Sequence, residues 1–157
     1  MYGGRASVGV LARRTLGEVA ECYQLHSFRG LDGRRWNARG ELVTISEATV
    51  KVDVGSAHHM AVAEGNGPVN ALDNALAKVL LDSYPELGDM RLVDYKVHIL
   101  TPTDGTGAIT RVMIESADGQ DRRWSCIGLS TNIIDASYNA LQDSISYKLF
   151  RDGADAA

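Results

Sequence analysis

The chain carries two kinds of apolar pattern, and their order along the sequence predicts its secondary structure. From Ala48 to Val54, apolar residues alternate with Thr49, Lys51 and Asp53, which is typical of a strand with one buried face. Similar patterns predict further strands over residues 22–29, 58–63, 92–100, 110–116 and 122–129. Apolar residues at helical spacing predict helices over residues 68–83 and 133–150.

Turn and capping residues separate these segments. Pro68 suits the first turn of a helix, because its missing N–H costs nothing there. Ser130, Thr131 and Asn132 supply capping side chains for the second helix. Turns are predicted at residues 31–34, 55–56 and 117–120, and loops at 37–41 and 101–107. On the strand at 92–100, alternation predicts one shared face, occupied by Val93, Tyr95, Val97 and Ile99.

One pattern occurs twice, 65 positions apart. The segment from Asn70 to Leu76 aligns with the segment from Asp135 to Leu141, with Ala, Asn, Ala and Leu at matching places. A repeat of this length indicates one supersecondary unit used twice, each copy needing a partner to cover its apolar face. The sequence therefore predicts an α+β fold of two pseudo-symmetric βββα units, with six strands and two helices.

Composition narrows the class of protein. The 157 residues are 45% hydrophobic and 23% charged, with a formal net charge of -4, as in an ordinary globular domain. No basic cluster indicates nucleic-acid binding, and no apolar run approaches the roughly 20 residues of a membrane span. Two cysteines, Cys22 and Cys126, do not make a disulfide framework. They are interpreted as reduced thiols in a cytoplasmic protein.

The domain boundaries follow from the same patterns. Residues 1–20 are rich in glycine and have no period, which predicts a flexible leader or linker. Residues 21–151 hold the two predicted units. Residues 152–157 are small and polar and are expected to fray.

The sharpest local signal is the segment Gly65, Asn66, Gly67, Pro68. Glycines allow the backbone to approach a ligand, and a helix N-terminus offers free N–H groups to a carboxylate or phosphate. The competing interpretation is a strand-to-helix turn in which glycine supplies a positive φ. The segment is no Walker phosphate loop, because no Gly-Lys-Ser/Thr follows.

Other candidate sites are weaker. Adjacent residues of a strand point to opposite faces, so His58 and His59 cannot easily chelate one metal ion, and no carboxylate or cysteine cluster accompanies them at ligand spacing. Surface histidines are the favoured interpretation, and no metal or cofactor is predicted. A nucleophile and base pair of Cys126 and His98 lacks a third group. Trp36 and Trp124 are expected to be packing residues rather than stacking platforms, because no basic stripe surrounds them.

Several quoted segments resemble a known family. The run from Gly65 to Leu76, the strand around Tyr95, the segment from Arg111 to Ser116, and the stretch from Trp124 to Ser137 are similar to the C-terminal regulatory domain of α-isopropylmalate synthase and citramalate synthase. The resemblance covers about residues 22–150. The Asn132 to Ser137 run and the Asp94 to Val97 strand look closer to the citramalate synthase branch.

This resemblance implies a fold and a function. The family's domain has two βββα units, forms a homodimer, and binds the pathway's end product as a feedback inhibitor. That product is leucine for isopropylmalate synthases and isoleucine for citramalate synthases. By position, the ligand contacts fall on the residues Gly65, Asn66, Gly67, Pro68, Val69, Leu92, Tyr95, Ile99, Gly107 and Ile109.

The full enzymes of the family also carry a catalytic (β/α)₈ barrel of about 250 residues, for which 157 residues leave no room. The barrel's metal-binding His-x-His motif is also absent from the sequence. The expectation is therefore a non-catalytic sensing and dimerisation module, which works with a separate or upstream barrel. A free-standing relative that acts as an interaction or structural protein without ligand binding is the alternative.

Overall fold

Six strands and two helices follow one another in the order βββαβββα within the described residues, 22–101 and 107–154, of this computed structural model. The first unit, Cys22–Pro85, contains β1 (Gln24–Trp36), β2 (Leu42–Val54), β3 (Ala57–Gly65) and α1 (Pro68–Leu80). The second unit begins at Glu86, within a 3₁₀ helix (Pro85–Asp89), and contains β4 (Arg91–Ile99), β5 (Thr110–Ala117), β6 (Arg123–Ser130) and α2 (Ile133–Arg151). The predicted α+β fold of two βββα units is confirmed.

In the first unit, an antiparallel sheet of order β1-β2-β3 is covered on one face by α1. Val50 and Val52 of β2 are fully buried, as are Leu72 and Leu76 of α1. The alternation on β2 and the helical spacing on α1 therefore meet in one apolar layer.

The second unit repeats this arrangement in an antiparallel sheet of order β4-β5-β6. Helix α2 packs on β5 and β6, and the buried residues Val112 and Ile114 of β5 share that layer with Leu141 and Leu149 of α2. Strand β4 lies at the edge of the sheet, away from the centre of the helix.

The repeat found in the sequence marks the closest approach of helix to sheet in each unit. Ala71 and Ala136, which are equivalent in the repeat, have no exposed surface. A Cβ added at Gly65 would lie 2.4 Å from the backbone N of Ala71, and one added at Gly128 would lie 1.8 Å from the carbonyl O of Ala136. Both contacts require a glycine on the strand, because only glycine lacks the Cβ.

The predicted turn at residues 31–34 is wrong. Strand β1 continues through Gly33, which pairs with Ile45, to Trp36, which pairs with Leu42. The chain turns after Trp36, where the N–H of Gly40 donates a hydrogen bond to the carbonyl of Asn37. Gly40 has a φ of 76°. An Asp-Gly pair favours a turn, but here the extended pairing of β1 with β2 outweighs it.

The two tryptophans differ in their surroundings. Trp124 is buried, as predicted, and its indole Nε1 donates to the hydroxyl of Ser144 at 2.8 Å. The prediction that Trp36 is a packing residue is wrong, since it is 71% exposed at the end of β1.

The predicted leader, residues 1–20, lies outside the described residues, as does the end of the tail from residue 155. Within the described tail, Asp152 accepts hydrogen bonds from Lys148 and Arg151 of α2. No helix in the described ranges is long and apolar enough to span a bilayer.

Candidate ligand-binding site

The first group of predicted contact residues lies where β3 meets α1. Gly65 is the last residue of β3, Gly67 is the N-cap of α1, and Pro68 is its first helical residue. Gly67 has an extended backbone, with φ 177° and ψ 168°. The alternative interpretation, a turn that needs positive φ, is therefore wrong for Gly67, and Gly65 does not have a positive φ either.

The two glycines serve different purposes. Gly65 is fixed by the nearby helix backbone, as described above. A Cβ added at Gly67 meets no atom within 4 Å among the described residues. The space beside Gly67 is therefore open to a ligand, whereas the space beside Gly65 is filled by protein.

Helix α1 has no side chain capping its N-terminus. Two hydrogen bonds hold the loop before the helix instead. The N–H of Asn66 donates to Asn70 Oδ1 at 3.1 Å, and Asn74 Nδ2 donates to the carbonyl of Glu64 at 3.0 Å. Pro68 has no N–H to donate, so Val69 and Asn70 present the first N–H groups of the helix.

Helix α2 differs at the equivalent place. Its N-cap is Asn132, whose Oδ1 accepts from the N–H groups of Ile134 at 2.8 Å and Asp135 at 3.3 Å. Gly67 and Asn132 are separated by the same 65 positions as the rest of the repeat. The repeat thus pairs one helix with a capping side chain and one without, and comparing the two copies could have revealed this from sequence.

The second group of predicted residues lies on and beside β4. A β-bulge at Val93 shifts the register between Leu92 and Asp94. Leu92 pairs with the buried Ser116, and Tyr95 pairs with the buried Ile114. Since directly paired residues share a face, the bulge places Leu92 on the same face as Tyr95.

This corrects the predicted face of β4. Alternation placed Val93 with Tyr95, Val97 and Ile99, but the bulge replaces Val93 with Leu92, because an extra residue on one strand re-aims the side chains that precede it. We call the set Leu92, Tyr95, Val97 and Ile99 the β4 apolar strip.

The β4 apolar strip is only partly covered by α2. The hydroxyls of Tyr95 and Ser137 are 3.0 Å apart, which anchors the ring beside the helix. Val97 is 39% exposed and Ile99 is 61% exposed. The strip therefore offers accessible aliphatic surface next to a held aromatic ring.

Gly107 and Ile109 lie just before β5, and both are exposed. The N–H of Ile109 donates to Thr101 Oγ1 at 2.8 Å, and its carbonyl accepts from the N–H of Leu100 at 2.8 Å. These bonds hold Ile109 beside the end of the β4 apolar strip. The two groups of predicted residues belong to different units, and each is described within its own unit.

The structure separates the nucleophile and base candidates. Cys126 pairs with Ile114 and is fully buried on the face that α2 covers. His98 pairs with Arg111 one position away from Val97, so it points to the opposite face of the sheet. A catalytic pair of Cys126 and His98 is therefore excluded by geometry.

The histidine pair behaves as predicted in one respect and not in another. His58 and His59 are neighbours on β3, and only His58 faces Asp53. The expectation that no carboxylate joins them is wrong: Asp53 bonds to both His58 and His26, which three strands bring together. The sequence separates His26 from Asp53 widely, so periodicity could not reveal the cluster.

The two βββα units place the chain in the class of α+β domains built from a repeated unit, and comparison with known families gives its family. The family model of the LeuA allosteric (dimerisation) domain matches residues 5–149. The chain belongs to this family.

Its relatives are full-length synthases. The chain is 46% identical over 149 residues to an (R)-citramalate synthase of Geobacter sulfurreducens, which covers 95% of this chain and 28% of the relative. It is 43% identical over 147 residues to an (R)-citramalate synthase of Aquifex aeolicus, and this match covers 94% of the chain and 27% of the relative. A 2-isopropylmalate synthase of Aquifex aeolicus is 35% identical over 107 residues, covering 68% and 19%. The chain thus spans between 19% and 28% of the length of these relatives, and the match lies in their regulatory domain.

Proposed function

We propose that this domain binds a branched-chain L-amino acid, isoleucine in preference to leucine, as the feedback signal of a citramalate synthase. Two findings support the proposal: the family is an allosteric domain, and the identity to the citramalate synthase of Geobacter sulfurreducens, 46%, exceeds the 35% to a 2-isopropylmalate synthase. The condensation of acetyl-CoA with a 2-oxo acid is assigned to a catalytic barrel outside these 157 residues.

The uncapped N-terminus of α1 is the observation that carries the proposal. A helix N-terminus without a capping side chain leaves N–H donors and a positive dipole end for an anion. Gly67 leaves open space beside these donors. We assign the carboxylate of the amino acid to this end, with Gly65, Asn66, Gly67, Pro68 and Val69 as its surroundings.

Within the second unit, the β4 apolar strip is a separate surface that suits an aliphatic ligand group. Leu92, Tyr95 and Ile99 share one face, and Ile109 lies 41% exposed beside them. Aliphatic and aromatic surface of this kind favours a branched hydrocarbon side chain over a polar one. We therefore propose Leu92, Tyr95, Ile99, Gly107 and Ile109 as the residues of the second unit that contact a branched-chain amino acid.

An aspartate at position 67 is expected to occupy the ligand's carboxylate position. In Gly67→Asp, the new carboxylate accepts hydrogen bonds from the N–H groups of Val69 and Asn70. The free energy of unfolding changes by only a few tenths of a kcal/mol. Isoleucine should then no longer bind. Wild type at 100 times its dissociation constant gains about 2.7 kcal/mol, so thermal unfolding with and without isoleucine measures the difference.

Matched variants separate ligand binding from folding. Gly67→Ala meets open space and should retain isoleucine binding. Asn132→Gly removes the cap of α2 and should leave isoleucine binding unchanged. Ile99→Ala removes exposed apolar surface and should weaken binding of isoleucine without lowering the free energy of unfolding by more than about 0.5 kcal/mol. If isoleucine stabilises Gly67→Asp as much as wild type, the proposed carboxylate position is wrong. If wild type binds no branched-chain amino acid, the sensing function fails and the interaction-module alternative replaces it.

We further propose that the domain forms a homodimer through exposed apolar surface. On the first sheet, the face opposite α1 carries Leu31, Met60 and Val62, which are 61%, 65% and 40% exposed. Register places them on one face, with Met60 opposite Lys51 and Leu31 opposite Glu47. Exposed apolar groups of this kind, rimmed by charges, mark interaction surfaces.

Sedimentation equilibrium tests the dimer. Wild type should give a mass of two 16.9 kDa chains, and Met60→Glu should shift the equilibrium toward the monomer because it places a charge in an apolar contact. Leu81→Glu, at a 43% exposed position outside the sheets, is the matched control and should remain dimeric. A wild type that sediments as a monomer at all accessible concentrations contradicts the proposal.

A further inference from the structure

Two imidazoles and one carboxylate meet at one end of the first sheet, at the opposite end of β3 from Gly65. His26 comes from β1, Asp53 from β2 and His58 from β3. His26 Nε2 contacts Asp53 Oδ2, and His58 Nδ1 contacts Asp53 Oδ1. The candidate donor atoms of the three residues all lie within 4.8 Å of one another. We call these residues the His26–Asp53–His58 cluster.

Backbone geometry explains how three strands converge on this point. Asp53 pairs directly with His58 across β2 and β3, so their side chains share a face. On β1 the register shifts between Leu25 and Ser27, which makes His26 the extra residue of a β-bulge. A bulge re-aims side chains, and here it directs the His26 ring to the carboxylate.

The cluster lies on the sheet face opposite α1. Val50 and Val52 of β2 are buried toward the helix, and Asp53 therefore points to the other face. Its side chain is 16% exposed, whereas those of His26 and His58 are 56% and 80% exposed. In the single chain, a recessed carboxylate between two exposed imidazoles is accessible to an ion.

A carboxylate and two neutral imidazoles are the forms that coordinate a metal. Other polar and charged groups lie near the cluster. On the same face, Lys51 is exposed two positions along β2, and Gln24 pairs with Asp53 across β1 and β2. Lys51 reduces the attraction for a cation, and it is solvent-exposed, where water and salt screen its charge.

We propose that His26, Asp53 and His58 bind one divalent transition-metal ion, of which Zn²⁺ is the probe. Imidazole nitrogen combined with one carboxylate selects ions such as zinc, cobalt and nickel over magnesium and calcium, which prefer oxygen ligands. Zn–N and Zn–O bonds are about 2.0–2.2 Å, so small rotations of the exposed rings bring three donors around one ion. Three protein ligands leave a coordination position for water. The ion links β1, β2 and β3 at the end of the sheet.

Isothermal titration of the 157-residue chain with Zn²⁺ is expected to give one site per chain. His26→Gln and His58→Gln should each weaken it by more than about 100-fold, since changes in the outer shell of a metal site alone cost 10–100-fold. Asp53→Asn should act likewise. Both histidine variants change exposed side chains, so they retain the fold, which circular dichroism verifies.

The other histidines are matched controls. His59→Gln changes the neighbouring residue on the opposite face of β3, and His98→Gln changes an exposed residue of β4; both should bind Zn²⁺ as wild type does. Co²⁺ should give the visible bands of a nitrogen and oxygen site without a thiolate charge-transfer band in the near ultraviolet. Any of three results would overturn the proposal. The wild type takes up no Zn²⁺, the His26→Gln and His58→Gln variants take up as much Zn²⁺ as wild type, or the Co²⁺ spectrum contains a thiolate band.

Discussion

The Gly128→Ala chain is expected to unfold at a far lower temperature than wild type, or not to fold. The new Cβ would lie 1.8 Å from the carbonyl O of Ala136, 2.8 Å from its carbonyl C, and 3.0 Å from the N of Ala140. All three are backbone atoms of α2, which cannot rotate away as a side chain can. Relief requires the helix to move off the sheet, which exposes the buried layer around Val112 and Leu141.

The expected cost is at the upper end of overpacking effects. Extra methyl groups in well-packed cores cost about 1–3 kcal/mol, occasionally more, and we expect more than about 3 kcal/mol because backbone must yield. Domains of this size have about 5–15 kcal/mol in total. Urea unfolding followed by circular dichroism measures the change.

Gly33→Ala is the matched control for this experiment. Gly33 also lies within a strand, but a Cβ there meets no described atom within 4 Å. Its free energy of unfolding should equal or slightly exceed that of wild type, since glycine weakens a strand interior. If Gly128→Ala unfolds within about 1 kcal/mol of wild type, helix and sheet are farther apart than described.

The fold was predictable where one periodicity governs a whole element. The alternation around Val50 and the spacing of Leu72 and Leu76 each depend on burial against one surface, so sequence and structure agree. The prediction failed at residues 31–34, where a local turn signal competes with pairing to β2. The paired residues of β2 lie 10 to 16 positions further along the chain, and periodicity within β1 cannot reveal them.

The candidate site was likewise predictable from the sequence only in part. The β3–α1 junction was predicted because its glycines and proline lie within four positions of one another, whereas the missing cap was not predicted, although a comparison of Gly67 with Asn132 would have shown it. The face of Leu92 could not be predicted, because a bulge at Val93 reverses the alternation that precedes it. The His26–Asp53–His58 cluster was missed for a related reason: it needs the register of three strands and a second bulge.

Loss of the Asp118 carboxylate should destabilise the second unit strongly, because four donors converge on it. Asp118 follows β5 and has no exposed surface. Its Oδ1 accepts from the N–H groups of Gln120 and Arg122, both at 3.0 Å. Its Oδ2 accepts from Arg122 Nε and from Arg151 Nη2, both at 2.7 Å. The carboxylate thereby ties the β5–β6 turn to the last turn of α2.

The pKa of Asp118 sets the pH range of this contribution. Desolvation raises it, but the hydrogen bonds from Arg122 and Gln120 and the charge of Arg122 outweigh that effect and lower the pKa from 3.8 to about 2. A carboxyl group whose pKa is lower in the folded state stabilises it above the unfolded value. That stabilisation should be present above about pH 4 and should disappear as the pH falls through about 2.

Asp118→Asn tests both statements in one series. The asparagine keeps the size of the side chain and loses its charge, leaving the guanidinium groups of Arg122 and Arg151 without their carboxylate. Urea unfolding at several pH values should show a large deficit against wild type at pH 7 that shrinks steadily below about pH 4, because wild type then loses the same charge. Asp121→Asn, whose carboxylate is 58% exposed and pairs with Arg91, is the control and should stay within about 0.5 kcal/mol of wild type. A deficit that does not change between pH 7 and pH 2 would show that the ionised carboxylate of Asp118 is not what holds the turn to α2.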